Sequence, residues 1–578
     1  MPTTPHTQTL HYQIICENPQ QRFIKIRVEF PVSNSQTIVK LPSWRPGRYE
    51  LGNFAKNIKG FRVLDASLNE LAFRKTNKDT WEIVTENTDK ITVEYSYFAN
   101  ELNAGSTYFD ENQLYVNPVN CMVYMPELIE MSIELQLNIS SEWQVACGLE
   151  QNGLTLKAAN FDQLADSPFI CSACLQKGTY QVNEHTFYIW FNGIENIPWE
   201  RVISDFKRFT EKQLEHFSEF PTKDFHFLIH VLPYPAYHGV EHVTSTVLTL
   251  GPTYAVFNEL YSELLGVSSH ELYHVWNVKT IRPTDMLPYD FSEENYSELG
   301  YVYEGVTTYL GDLYLLKSGV FDLKKYLEEL KTQLQKHFDT LGRFNYSVAQ
   351  SSFDTWLDGY VPGIPGRKTS IYTEGCLLAF VCDIAIRKAT NNQKGIEDAM
   401  RTLYFETAKK GIGYTRESYQ SILEETAGVS LIHIFDNFIY GTKAFDNLLN
   451  DTFEFLGLEW KQLPSDSFAE SRLGIKYQSK NGAVNLLSIY PESPAEQAGL
   501  SLNDEIIAVN EYRISTDFDR WLMFLATNKT LDLILMRNGK IRSITIQLND
   551  VTYYKKQHLN LVSNPSKNQK EALTAWKK

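Results

Sequence analysis

Hydrophobic and polar residues alternate with period two through much of the first 175 positions. Tyr12-Gln-Ile-Ile, Phe23-Ile-Lys-Ile-Arg-Val-Glu-Phe, Trp81-Glu-Ile-Val, Ile91-Thr-Val-Glu-Tyr and Met131-Ser-Ile-Glu-Leu-Gln-Leu-Asn-Ile all show it. Such a segment has one apolar and one polar face, the mark of a half-buried strand. Breaks rich in Asn, Asp and Gly separate the runs. The pattern predicts an N-terminal antiparallel β domain, sandwich-like, over 1–175. No catalytic cluster stands out within it. Its Pro- and Gly-rich loop Leu41-Pro-Ser-Trp-Arg-Pro-Gly-Arg-Tyr49 reads as a rigid packed turn rather than a substrate contact.

The period changes after about residue 176. Strand patterns at Thr186-Phe-Tyr-Ile-Trp-Phe and Phe225-His-Phe-Leu-Ile-His-Val-Leu flank a helical pattern from Trp199 to Phe217. Helical spacing recurs over Leu323 to Leu341, Tyr372 to Thr390, Gly395 to Tyr404 and Arg416 to Thr426. Strands followed by many helices predict an α+β body over 176–455. Over 466–550 short strand patterns return, among them Val484-Asn-Leu-Leu-Ser-Ile-Tyr, Asp504-Glu-Ile-Ile-Ala-Val-Asn and Leu531-Asp-Leu-Ile-Leu-Met-Arg, the last followed by a hairpin-type Asn538-Gly539 turn. The remaining 551–578 is a polar tail, Lys-rich and expected to fray after about Asn560.

Composition narrows the partners. The chain has 578 residues, enough for several domains, with net charge −16. Phosphate binding needs a basic face, so a nucleic-acid partner is excluded. No apolar run is long enough to span a membrane, and the N-terminus lacks the basic and apolar regions of a secretory signal. The expectation is a cytoplasmic protein whose seven Cys are reduced. Cys171-Ser-Ala-Cys174, a lone C-x-x-C, reads as packed thiols rather than a redox or metal pair.

The chemistry concentrates at His270-Glu271-Leu272-Tyr273-His274. Two imidazoles four residues apart on a helix point at one metal ion, and the adjacent carboxylate projects where an attacking water would sit. The preceding residues, Asn258 to Val267, are amphipathic, and Val275 to Val278 extend the helix until Pro283 stops it. A catalytic zinc takes three protein ligands and keeps one position open. Glu304, in an aromatic helix-compatible run, is the third ligand, because an acid among apolar neighbours needs a compensating cation. Glu298 and Asp312 are weaker rivals.

The run His270-Glu-Leu-Tyr-His-Val-Trp-Asn-Val-Lys-Thr-Ile-Arg-Pro283, with Tyr303-Glu-Gly-Val-Thr-Thr-Tyr, the Leu41–Tyr49 loop and Asp162-Gln-Leu-Ala-Asp-Ser-Pro168, resembles the glycyl aminopeptidase family of gluzincin peptidases. The resemblance implies an N-terminal β domain, a thermolysin-like zinc peptidase domain with a helical C-terminal part, and a C-terminal PDZ domain. It implies one zinc ion on His270, His274 and Glu304, with Glu271 as general base. Gly239-Val240-Glu241-His242 resembles a cleft-lining strand of related aminopeptidases. By that likeness Gly239 borders the substrate and Glu241 receives its free α-amine, although Val and His stand where Met and Asn are usual. Ser370-Ile-Tyr372-Thr-Glu-Gly resembles the stretch that supplies a phenol to the oxyanion, with Glu374 in place of a Lys. Ser493-Pro-Ala-Glu-Gln-Ala-Gly-Leu is typical of PDZ domains, and Leu473-Gly474-Ile475 would be the loop that holds a peptide C-terminus. The implied activity is zinc-dependent removal of N-terminal residues, with Gly or Ala preferred, from peptides with a free N-terminus. Two alternatives stay open: an endopeptidase of the same fold, and a PDZ scaffold with an inert peptidase body.

Overall fold

The computed structural model describes residues 9–361, 363–480 and 482–578. The alternating N-terminal segments form a seven-stranded sheet beside smaller four- and three-stranded sheets. Along Phe23–Pro31 every second residue is buried, as the period requires. This strand pairs antiparallel with both Leu10–Ile15 and Lys90–Phe98. One pair departs from the antiparallel expectation: Leu10–Ile15 runs parallel to Ile133–Asn138.

The middle of the chain builds a five-stranded sheet in the order Gln176–Val182, His185–Asn192, Asp224–Val231, Ser245–Gly251, Ala236–Glu241. Ser245–Gly251 is buried at every position. Ala236–Glu241 pairs antiparallel with it and lies at the sheet edge. The helix Trp199–Phe217 forms as the pattern predicts and buries Val202, Phe206, Phe209 and Phe217 on one face. Helices Tyr261–Tyr273, Thr307–Lys317, Leu323–Asp339 and Ile371–Ala389 follow, and one hydrophobic core runs through the β domain and this body.

The C-terminal β unit has a core of its own, including Leu473, Ile475, Leu486, Phe518 and Leu533. The chain does not end there. Leu458–Pro464 pairs antiparallel with Lys555–Leu561, making a two-stranded stalk on either side of the unit. Beyond that strand, the stretch expected to fray holds a helix, Lys567–Trp576, opened by a capping box at Ser566. Trp576 is fully buried, its ring meets Tyr326 edge-on at 5.3 Å, and its Nε1 donates to Tyr309 Oη at 2.9 Å. A buried Trp removes on the order of 200 Å² from water, enough to anchor an otherwise polar helix. Among the described residues no helix is long and apolar enough to cross a membrane.

Candidate metal centre and substrate cavity

The helix bearing His270 stops at Tyr273, sooner than expected. From His274 the chain turns back, so that the Asn277 carbonyl lies 2.6 Å from His274 Nδ1. That acceptor puts the proton on Nδ1 and leaves Nε2 free as a ligand. The Asn277 side chain reaches the next helix, donating to Val302 O at 2.9 Å and Thr307 Oγ1 at 3.0 Å. One residue thus orients one imidazole and fixes the segment that carries Glu304.

Glu304 sits in a π-helical turn, Tyr301–Val306, that runs into Thr307–Lys317. Such turns recur at functional sites because they re-aim a side chain. His270 Nε2 and His274 Nε2 are 2.9 Å apart, and Glu304 Oε2 lies 3.7 and 3.4 Å from them. The three donor atoms all fall within 4.8 Å of one another. Two imidazoles and one carboxylate around a single point suit zinc. Glu298, one rival, is exposed. Gly305 allows the helix Ile371–Ala389 to cross at contact: a Cβ there would lie 2.4 Å from Gly375 Cα. This crossing delivers Tyr372 to the cavity. Glu374, where a Lys is usual, lies 2.7 Å from His337 Nδ1 in a buried pair.

The electrostatics describe a site built for a cation. Burial opposes charge on both imidazoles; it lowers His270, whereas the neighbouring Glu304 carries His274 up to about 10. Burial likewise opposes charge on Glu304, yet His274 and His270 hold it down to about 2. Glu271 is raised well above the carboxylate range by burial, with Glu241 and Glu304 adding repulsion. Burial, then Glu304, raises the Tyr372 phenol, so it keeps its proton.

Glu241 ends the edge strand. It is 3% exposed, and its Oε1 has no hydrogen-bond partner; Glu271 Oε2 is likewise unpartnered. Gly239 lies against Glu271, where a Cβ would come within 2.2 Å of Oε1. The Leu41–Tyr49 loop borders this site, a correction to its reading as a packed turn alone. Gly47, at φ +82°, would place a Cβ 2.5 Å from Glu241 Oε2, and Tyr49 Oη lies 3.4 Å from Glu304 Oε1. The loop does pack, with Trp44 buried and donating to Asp290 O at 2.7 Å. It packs against the body, which is why it reaches the site. Lining residues Gly47, His238, Gly239, Glu241, Glu271 and Tyr372 share with the three donors a cavity of about 830 Å³.

Family models match at three places: the peptidase M61 N-terminal domain over residues 11–173, the M61 glycyl aminopeptidase domain over 263–378, and a PDZ domain over 471–548. The chain thus carries an M61 N-terminal domain and an M61 glycyl aminopeptidase domain. It is a metallopeptidase, of the metallo-aminopeptidase kind. An aminopeptidase N family protein from Idiomarina loihiensis has the same fold, with TM-score 0.90 at 24% identity over 99% of this chain and 100% of that one. An M1 zinc metallopeptidase from Deinococcus radiodurans gives TM-score 0.45 at 11% identity over 76% of this chain and 94% of that one; a variant of it bound to a Tyr-Ser-Ala substrate gives 0.46 at 12%, over 76% and 94%. No curated protein matches the chain.

Several features of this M61 chain were not legible as site residues. Asp166, in the N-terminal domain, accepts from Lys279 Nζ at 2.7 Å and from Val243 N at 2.8 Å, and lies 3.1 Å from His242 Nδ1. It clasps the end of the Glu241 strand to the segment after the zinc motif. Burial opposes its charge, yet Lys279 and His242 hold it well below the carboxylate range. The signal was present in the runs Asp162–Pro168 and Trp276–Lys279, but sequence gives no hint that they touch. Cys171 is buried and Cys174 exposed, both free thiols. In the PDZ unit, Gly474 adopts φ +74°, its N–H donates to Ala469 O and its carbonyl accepts from Tyr490 N at 2.7 Å. Leu473 and Ile475 are fully buried on either side.

Proposed function

We propose that the enzyme is a zinc aminopeptidase that removes a small N-terminal residue, Gly or Ala, from peptides. The observation that carries this reading is the pairing of the His270, His274 and Glu304 donors with two buried carboxylates, Glu241 and Glu271, that each keep an unpartnered oxygen. Zinc held by those three residues supplies a Lewis acid for the scissile carbonyl and for the attacking water. Glu271 takes the proton of that water and hands it to the leaving amine. Tyr372 keeps its phenolic proton and donates a hydrogen bond to the developing oxyanion. Glu241 pairs with the free α-ammonium and so sets the cleavage point one residue from the end. Gly239 leaves the edge strand open for the extended peptide to pair with its backbone. The Gly47 loop crowds the amine end, which favours a small first side chain.

Glu271→Gln tests the mechanism: metal content should stay at one zinc per chain while turnover of Ala-peptides drops about 10²–10⁴-fold. The comparison that tests the substrate class is a free peptide against its N-acetylated form. Equal cleavage of the two would make this an endopeptidase with a structural Glu241. Turnover that survives both a chelator and Glu271→Gln would exclude the zinc reading.

A further inference from the structure

The cavity continues past the metal ligands, and its far end carries charge that the mechanism above does not use. Glu304, Thr308 and Asp312 all line it. At i, i+4 and i+8 they mark one helix face running about 12 Å away from the third ligand. On the motif helix His270, Gly266 and Glu263 line the cavity too, receding by one turn and then another. A Cβ on Gly266 would lie 3.9 Å from Asp312 Oδ1, so the two faces meet there. The edge strand follows the same course. Glu241 stands at one end and Gly239 beside Glu271. Tyr237, at the other end, lies in the field of Asp312, Glu271, Glu263 and Glu329. Three elements therefore give the cavity one order: amine anchor, metal, acidic end.

The charges do not balance. Glu241, Glu263, Glu271, Glu304, Asp312 and Glu329 line the cavity with a single lysine, Lys336. With every carboxylate ionised, a dication on the ligands and an ammonium on Glu241 still leave two negative charges in excess. Lys325, 2.6 Å from Glu329, answers one of them. Among the described residues Asp312 and Glu263 have no cation within 4.0 Å. Glu263 Oε2 is buried without a partner, as are Glu241 Oε1 and Glu271 Oε2 on side chains 3% and 5% exposed in the same cavity. Burial, and then Glu329, hold Asp312 up to about 7.

We propose that the acidic end, Asp312 with Glu263 and Glu329, is a subsite for a cationic side chain on the leaving peptide: a Lys or Arg at the second or third residue of the substrate. An extended peptide rises about 3.3 Å per residue, so those residues, with a long aliphatic stem, reach past the metal to Asp312. Tyr237, 62% exposed, offers a ring face beside the same charge. This inference rests on the aminopeptidase reading, which gives the peptide its direction.

The test compares kcat/KM of the zinc enzyme for Ala-Lys-Ala-Ala and Ala-Ala-Lys-Ala with their Glu counterparts. The wild type should favour Lys over Glu by at least about tenfold at one of the two positions, less so at high salt. The Lys-to-Glu ratio, taken within each variant, should fall at least about threefold in Asp312→Asn or Glu263→Gln. Equal rates for Lys and Glu peptides in the wild type overturn the subsite and leave the aminopeptidase reading standing. So does a ratio that both variants preserve. Failure to cleave any free-amine peptide overturns the two together. The wild-type ratio decides even where a variant does not fold.

Discussion

The chain has two places that could receive a peptide end, and they are built in opposite ways. In the catalytic cavity the polar groups that matter are left open: Glu241 Oε1 and Glu271 Oε2 are buried without partners, and three donor atoms face one point. In the PDZ unit the corresponding groups are already committed. The Gly474 N–H donates to Ala469 O, and Asp519 accepts from Ser467 Oγ, Phe468 N and Ala469 N just upstream. Buried polar atoms are costly without partners. Beside a cavity such groups can take a ligand, whereas groups satisfied internally have less to offer one. The stalk and the Lys476–Asp339 pair at 2.6 Å join the PDZ unit to the helix Leu323–Asp339 that walls the cavity. The unit is thus attached as a buttress, whatever it binds.

The sharpest way to break the comparison is to disturb what holds the open groups in place. Asp166 is buried with Lys279 and His242, so Asp166→Asn leaves an unpaired buried lysine and should cost about 3–5 kcal/mol of stability. The sign with pH follows from its depressed carboxyl. The contribution of Asp166 is complete above the ordinary Asp value of about 3.9 and is lost as pH falls through its lower folded value. Denaturant midpoints between about pH 1 and 5 should show a steep acid limb in the wild type. That limb should flatten in Asp166→Asn. An unchanged acid limb would remove Asp166 from the account. Glu241→Gln comes next in size. Losing a charged hydrogen bond of about 1.5–3 kcal/mol should lower kcat/KM for free-amine peptides about 10- to 100-fold, with N-acetylated peptides unaffected. A uniform loss on both substrate types would place Glu241 in the architecture rather than at the amine.

What could be read from sequence is what depends on local spacing. His270, His274 and Glu304 were legible because two imidazoles at i, i+4 and a buried acid carry their own logic. So were the period-two strands and the helix Trp199–Phe217, whose observed limits match the pattern. What could not be read depends on non-local contact. The Gly305–Gly375 crossing, the clasp of Asp166 on Lys279, and the arrival of the Leu41–Tyr49 loop at Glu241 join segments far apart in the chain. The tail was missed for another reason. Lys555-Lys-Gln-His-Leu-Asn-Leu561 alternates at its end, and Ala572, Leu573 and Trp576 share a helix face, but the surrounding lysines mask both. One tryptophan, rather than a continuous apolar stripe, holds that helix down.

The smallest expected effect sharpens the contrast from the PDZ side. If the Leu473-Gly474-Ile475 loop accepted a C-terminal carboxylate, its N–H groups would have to be free for it, and the carboxylate would contribute charge-assisted hydrogen bonds worth about 1.5–3 kcal/mol. With the Gly474 N–H held by Ala469 O, a peptide carboxylate must first displace that bond, so much of the gain cancels. A peptide with a free C-terminus and the same peptide amidated should therefore bind the full-length Glu271→Gln protein with Kd values within about twofold of each other by calorimetry. A tenfold preference for the free carboxylate, about 1.4 kcal/mol, would mean that the turn at Ala469–Leu473 opens on binding. The PDZ unit would then be a second receptor for peptide ends, coupled to the cavity wall through Lys476 and Asp339.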